Sequence, residues 1–250
     1  MRSRKIGMPV PPYLWAKGLI DDSEWVNAYI MSVLNWPHSC TLTAKEKHLI
    51  GLGKAVAYLW EPGVLIHVDQ ALSAGANEAE INDAIRISSL IIGLADLDYT
   101  LQQLNFEYQD HAKSFGYTNQ INLPAKMLAF LDFDPKWFQD FLTTIKIIFQ
   151  KTSLEERLQN LLCLAVSAVK GWKHGIQVFS ERALKNGATS SEVTQVIASV
   201  FKTAVSTSMQ VGFRYPCYTP DMSKYRLIID SYMKSRAKYG EKNLDFDSML

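Results

Sequence analysis

The spacing of apolar positions along the chain predicts helices throughout. Thr43 and Glu46 have the spacing of a capping box, and Leu49, Leu52 and Val56 then recur at helical period. No segment shows the sustained two-residue alternation that is typical of a half-buried strand. We therefore expect an all-α protein.

Turn and cap residues divide the chain into successive helices. In the first half, Pro62 suits the first turn of a helix that ends at Gly75, a typical left-handed cap residue. Further helices are predicted from Asp22 to about Leu34, from the box Asn77 and Glu80, and over a separate segment from about 96 to 115. In the second half the same signals are Pro135, the boxes Ser153 with Glu156 and Thr189 with Glu192, and the stop at Gly187.

The chain also matches itself, without a gap, at an offset of 112 residues. Trp60 falls on Trp172 and Gly63 falls on Gly175, within a match that extends from Pro12 to Ile85. A loose alignment of leucines between amphipathic helices would not hold tryptophans and glycines in register. We therefore predict two tandem homologous helical units, 1–116 and 117–235, followed by a loose polar tail at 236–250.

The composition is ordinary for a soluble globular protein. Of 250 residues, 48% are hydrophobic and 20% are charged, and the net charge of +1 supplies no field that would attract nucleic acid or an anionic membrane. Apolar runs such as 90–95 are too short to span a bilayer, and the basic amino terminus is not expected to be a secretory signal. Cys40, Cys163 and Cys217 are widely separated and form no CxxC, which argues against a disulfide framework and favours the cytoplasm.

Two stretches, Leu42–Ile85 and Leu154–Ile197, resemble the signature of the carboxymuconolactone decarboxylase and alkyl hydroperoxidase D superfamily. In its peroxidase branch a glutamate is followed by Cys-x-His-Cys and then by a final histidine. The thiolate attacks the oxidant while the glutamate and the histidines relay the proton. The resemblance implies an all-α fold of the alkyl hydroperoxidase D type, no cofactor, and assembly into homo-oligomeric rings.

Both units lack the two cysteines of that motif. In the first unit the glutamate, cysteine, middle-histidine, cysteine and last-histidine positions hold His48, Trp60, Pro62, Gly63 and His67. In the second unit the same positions hold Asn160, Trp172, His174, Gly175 and Phe179. A redox relay without a sulfur nucleophile has no chemistry to run, so we reject the thiol peroxidase mechanism.

The decarboxylase branch also lacks the cysteine pair but keeps the last histidine, which His67 matches. Its acidic residues lie one turn earlier, where this chain has Pro62 and Gly63, and Glu61 lies slightly before them. We predict cofactor-free acid/base chemistry on a small organic acid or lactone, a lyase reaction if the chain is active, with His67, His48 and Glu61 as catalytic candidates. The alternatives are a catalytically decayed binding or scaffold protein, or a redox protein that uses Cys40 or Cys217.

Each candidate also has a purely structural interpretation. His67 has apolar neighbours and could be a core histidine, while His48 is expected to pack toward it. A metal site with Asp69 is not predicted, because His-x-Asp spacing places its members on different helix faces. Trp60 and Trp172 either stack on a planar ligand or fill the pocket as part of the core.

The remaining candidates are ligand-binding residues. His174 is either an exposed polar side chain at a helix start or the partner of His67 in one site shared by both units. Arg214 and Tyr215, with Arg86, are the cationic and phenolic groups most able to hold a carboxylate. Cys163 is expected to be an inert packing residue.

Overall fold

The computed structural model describes residues 41–104, 122–131 and 133–213, and its regular structure there is entirely helical. Its helices are α1 Ala44–Ala57, α2 Glu61–Ser73, α3 Glu78–Gln103, α4 Ala125–Leu131, α5 Pro135–Gln150, α6 Glu156–Lys170, α7 Lys173–Lys185 and α8 Ser190–Phe213. The predicted all-α class is confirmed. None of these described helices combines the length and the apolarity that crossing a bilayer requires.

Most predicted helix starts are confirmed by the cap geometry. The Thr43 hydroxyl accepts from the backbone N–H of Glu46, whose carboxylate accepts from the backbone N–H of Thr43. Asn77 with Glu80, and Thr189 with Glu192, exchange the same pair of bonds. These reciprocal bonds satisfy backbone donors that the first helical turn would otherwise leave unpaired.

Two expectations about the helices were wrong. The Ser153 and Glu156 box does not form, because α6 is capped at Glu155 without a side-chain bond and the backbone N–H of Ser153 donates to Asp83 instead. The segment predicted to begin near 96 is not a separate element. It continues α3, because the helix that the Asn77 cap begins contains no proline, and Gly93 in its interior does not adopt the left-handed backbone of a helix end. The predicted helix from Asp22 lies outside the described residues.

The helix register supports the predicted repeat. Helices α1, α2 and α3 start at residues 44, 61 and 78, and α6, α7 and α8 start at 156, 173 and 190, always 112 residues later. Lys45 binds Glu80 at 2.7 Å, and their counterparts Arg157 and Glu192 bind each other at 2.8 Å. The boundary at 116/117 stays a prediction, because it falls outside the described residues.

The chain divides into two compact bodies, Cys40–Phe201 and a second body made of 1–39 with 202–250. In the first body α1, α3 and α6 pack against one another, while α2 lies on α1 and α7 lies on α6. Fully buried leucines fill the centre, among them Leu49 and Leu52 on α1 and Leu161 and Leu162 on α6. Of the second body, the structure describes only the carboxyl-terminal part of α8.

Arg157 connects residues of the two predicted units within the first body. Its guanidinium donates to Glu46 on α1 and to Glu192 on α8, and the Thr41 hydroxyl also donates to Glu192. Burial pushes the pKa of Glu192 upward, but the Thr189 N–H, the Thr41 hydroxyl and the Arg157 charge outweigh burial and hold that pKa below its usual value. Glu192 is therefore a buried carboxylate whose ionised form is fully bonded.

The turns before α2 and α7 share a left-handed backbone conformation but place different residues in it. Gly171 adopts a left-handed φ of 65° at the end of α6, and its counterpart Leu59 adopts a φ of 53°. A left-handed conformation is costly for a side chain with a Cβ. Leu59 is nonetheless 92% exposed, so nothing in the described residues compensates for this backbone strain through packing.

Trp172 is fixed in the core by a contact with glycine. Its indole ring lies against Gly175, where a Cβ would overlap both the ring and the Ser167 hydroxyl. The indole N–H donates to the buried Asp98 carboxylate at 2.9 Å. The tryptophan therefore joins α7 to α3 through one bond and one close packing contact.

We predict that Gly175→Ala destabilises the protein by about 1–3 kcal/mol, because the added methyl group overpacks the Trp172 contact. The matched control is Gly93→Ala, since a Cβ at Gly93 meets nothing within 4 Å. That control should raise the free energy of unfolding by about 0.5–1 kcal/mol, as alanine favours a helix interior over glycine. Urea denaturation of both variants measures the difference. Equal effects of the two substitutions would contradict the packing account.

Candidate functional site

One face of α2 carries three of the motif positions of the first unit. Trp60 precedes the helix, and Gly63 and His67 follow it at three and seven residues, a spacing that places all three on the same side. Pro62 stands in the first turn, as predicted, and needs no hydrogen-bond partner for its nitrogen there. The Trp60 ring lies against Gly63, where a Cβ would overlap it. This face packs on α1.

His67 is seated directly on the backbone of α1. The atoms nearest to a Cβ placed at Gly51 are all His67 imidazole atoms, and that Cβ would overlap the ring. Only glycine therefore permits this approach between α1 and α2. His67 itself is half-buried, so its ring is held by packing without being removed from solvent.

His48 meets His67 across the same seam. The Nδ1 atoms of the two imidazoles are 3.4 Å apart, and the ring centroids are 5.7 Å apart with the planes tilted by 41°. His48 lies one turn before Gly51 on α1 and is also half-buried. The expectation that His48 packs toward His67 is confirmed.

This geometry can support proton transfer. A neutral imidazole carries one proton and one lone pair, so either ring can donate to the other, depending on its tautomer. Among the side chains, imidazole is the one whose two forms are both accessible near neutral pH without special surroundings. The pair is a candidate acid/base group built from two rigid helices.

The second unit fills the equivalent position with core side chains. Phe179 replaces His67 and is 0% exposed, while the buried Cys163 replaces Gly51. Asn160 replaces His48 and donates to the backbone carbonyl of Glu156 on its own helix. None of these three residues presents an acid/base group, so the second unit does not repeat the histidine pair.

The two tryptophans differ in their surroundings. Trp172 is 4% exposed and bonded to Asp98, which favours the interpretation that it fills the core over the predicted ligand-binding role. Trp60 is half-buried beside the histidine seam, and its ring covers Gly63. Of the two, Trp60 is the one that keeps part of its surface in solvent.

The acidic candidates of α2 lie apart from the seam. Glu61 is exposed at the start of the helix, six residues from His67, which at 3.6 residues per turn puts it about 120° away around the helix. Asp69 is also exposed. Across the described ranges, no three His, Cys, Asp or Glu side chains are grouped as ligands for a metal ion.

The structure does not bring His174 to the His67 pair. Its Nε2 donates to the backbone carbonyl of Asn122, and its ring lies 5.9 Å from that of Trp172. Arg86 is engaged with Asp83 on its own helix. Arg214 and Tyr215 lie outside the described residues.

Cys163 has the properties of an inert packing residue. It is fully buried, and burial raises the pKa of its thiol far above the ordinary value, despite the nearby Arg182 charge. A thiol that stays protonated is neither a nucleophile nor a metal ligand. Cys40 and Cys217 lie outside the described residues.

Sequence reasoning missed the residues on which the site rests. The signal for Gly51 is the paired exchange of Gly51 with Cys163 and of His67 with Phe179 between the two predicted units, which indicates a contact. Asp98, the acceptor of the Trp172 indole, carries no such signal. Its contact joins α3 to α7, 74 residues apart in sequence.

Comparisons with known proteins agree with this fold. Residues 135–214 match the model of the carboxymuconolactone decarboxylase family. A crystal structure from Burkholderia xenovorans LB400, described as a γ-carboxymuconolactone decarboxylase subunit, aligns with a TM-score of 0.62 and 20% sequence identity. The alignment covers 89% of this chain and 91% of that one. No curated protein matches the chain in sequence.

The family match and the fold likeness concern different parts of the chain. The matched segment contains α5, α6, α7 and the whole of α8, that is, the described helices of the predicted second unit apart from α4. The structural alignment extends over both units. Residues 135–214 are therefore similar in sequence to the carboxymuconolactone decarboxylase family, and the chain shares the all-α fold of the Burkholderia structure.

Proposed function

We propose that this chain is a cofactor-free acid/base enzyme of the carboxymuconolactone decarboxylase type, acting on a small organic acid or lactone. The observation that carries the proposal is the contact between His48 and His67 at 3.4 Å on the α1–α2 seam. His67 is the proposed acid/base group, and Trp60 is proposed to line the ligand side.

The reaction class follows from what an imidazole pair can supply. When a carboxylate leaves as carbon dioxide, the electron pair of the broken bond develops on the neighbouring carbon and must receive a proton. A positioned imidazolium can give that proton, and the resulting neutral imidazole then regains one from solvent. We assign the pair the proton transfer and leave charge stabilisation unassigned.

We also propose that each chain has one such site. In the second unit Phe179 and Cys163 fill the space that His67 and Gly51 occupy in the first. A phenylalanine cannot exchange a proton, and its complete burial excludes a ligand from that position. The tandem repeat would then use one unit for chemistry and the other for packing.

The rival function is a binding or scaffold protein whose catalytic residues have decayed. The second unit favours this alternative, because buried side chains there occupy the position of the histidine pair. The first unit differs in the property that matters here: His48 and His67 remain half-buried and in contact. Ligand binding that depends on His67 is expected for an enzyme and for a binding protein alike. Turnover of the ligand distinguishes the two functions, so binding and turnover are both measured.

We predict that a thermal-shift screen of small carboxylates and lactones finds a ligand whose effect is lost in His67→Phe. A ligand at a hundredfold excess over its dissociation constant stabilises the native state by about 2.7 kcal/mol. The variant copies Phe179 of the second unit, and it should lower turnover of that ligand by about a hundredfold or more. A retained shift with retained turnover would contradict the proposal; binding without any turnover would favour the scaffold.

Two further variants sharpen this experiment. Gly51→Ala keeps both histidines but forces the His67 ring from its seat, so it should weaken the ligand effect as well. His174→Ala removes an imidazole that binds Asn122, and it should leave the ligand effect unchanged. The unfolding midpoint of each variant without ligand separates a lost site from a lost fold.

We propose homo-oligomer formation as well, in the cytoplasm as expected from the sequence. The rings of Phe130, Phe133, Trp137 and Phe141 follow one another at centroid distances of 5.5–6.1 Å on α4, α5 and the turn between them. Phe133 is 71% exposed, and large exposed apolar patches are typical of interfaces. Mass measurement in solution tests this: a dimer or larger species supports it, and a monomer at micromolar concentration contradicts it.

A further inference from the structure

We propose that His48 and His67 share one hydrogen-bonded proton and titrate as a single coupled unit, with His48 as the positioning residue that links the tautomer of His67 to its own. This inference rests on the proposed function for its catalytic meaning. The coupling itself is a property of the two rings and can be measured without a substrate.

The contact forces a link between the two tautomers. Two bare Nδ1 lone pairs facing each other at 3.4 Å repel, so in the neutral pair one Nδ1 carries a proton and the other accepts it. The accepting ring then carries its own proton on Nε2, while the donating ring has a bare Nε2. One outer nitrogen of the pair is therefore an acid and the other is a base.

The neutral pair carries two protons, one per ring, and adding a third costs less free energy than adding a fourth. With three protons, the shared Nδ1 proton remains and both outer Nε2 atoms are protonated, for a single positive charge. A fourth proton would place two N–H groups against each other and two positive charges on rings 5.7 Å apart. The second protonation is consequently separated from the first, and both midpoints belong to the pair.

The arrangement gives a balanced proton relay. When the Nε2 of His67 takes a proton from a substrate, the shared proton moves from His67 to His48, and the Nε2 of His48 releases its proton to solvent. Protonation of a carbanion runs the same shifts in reverse. No electron is transferred. After each proton transfer, both rings are left in the tautomer opposite to the one in which they began.

The helices prevent the rings from avoiding this contact. The His67 ring rests on Gly51, and His48 lies one turn earlier on the same helix. A rotation of His67 away from His48 would have to leave that seat. Held in this way, the two side chains lose little further freedom when the shared bond forms.

Other charged groups of the packed helices are either exposed or engaged with partners of their own. On α1 and α2, Lys47, Glu61 and Asp69 are exposed, and Lys54 donates to Ser199. The engaged groups of α1, α3 and α6 are Lys45 with Glu80, Glu46 with Arg157, Arg86 with Asp83, and Lys170 with Asp96, while Asp98 accepts from Trp172 and Gln102. Tyr58, at the end of α1, has a pKa raised by burial, so its phenol stays neutral around neutral pH.

The test is a nitrogen NMR titration of histidine-labelled protein from pH 4 to 9. The chain has five histidines, so single substitutions assign the signals. We expect the His48 and His67 rings each to report two common midpoints, separated by about one pH unit or more. In His48→Asn, which copies Asn160, His67 should show one midpoint, and its Nδ1-to-Nε2 protonation ratio should change.

Controls keep the outcome independent of function and of folding. His67→Phe should likewise leave His48 with a single midpoint, while the signals of His174, which donates to Asn122, should be the same in every variant. His48→Gln serves if His48→Asn unfolds. If each histidine shows one midpoint that does not change when the other histidine is replaced, the proposal is overturned, even if a ligand and turnover are found. Coupled midpoints without any ligand would support it and would instead refute the proposed function.

Discussion

The candidate site depends on close contact between aromatic rings and glycine. A ring can lie on a helix backbone only where no Cβ intervenes, and this occurs at Gly51, Gly63 and Gly175. Each contact restricts the conformation of one side chain. Gly51 holds His67, Gly63 holds Trp60 and Gly175 holds Trp172. The same constraint thus positions the proposed acid/base histidine in the first predicted unit and fixes a core tryptophan in the second.

The repeat makes the chain its own comparison. Equivalent helices begin 112 residues apart, yet one pair of facing residues is Gly51 with His67 and the other is Cys163 with Phe179. A larger residue on the inner helix accompanies a fully buried ring, and glycine accompanies a half-buried imidazole. The family match covers the unit with the buried ring, so the likeness in sequence and the proposed chemistry fall in different units.

Local signals in the sequence predicted most of the described fold. Cap residues such as Thr43 and Asn77 act within one turn, so their hydrogen bonds could be foreseen, as could the stop at Gly75, which has a φ of 90°. The meeting of His48 and His67 followed from the family resemblance, not from spacing. The seat on Gly51 and the Asp98 bond to Trp172 join helices far apart in sequence, and periodicity carries no information about such partners. The failed Ser153 cap has the same cause, because Asp83 on another helix takes its backbone N–H.

The most direct test of the account is the number of ligand molecules bound per chain. Isothermal titration calorimetry with a carboxylate or lactone that stabilises the protein measures that number. The account predicts one site per chain, and none in His67→Phe, because only the first unit carries the histidine pair. Two sites per chain, or one site that survives in His67→Phe, would contradict it.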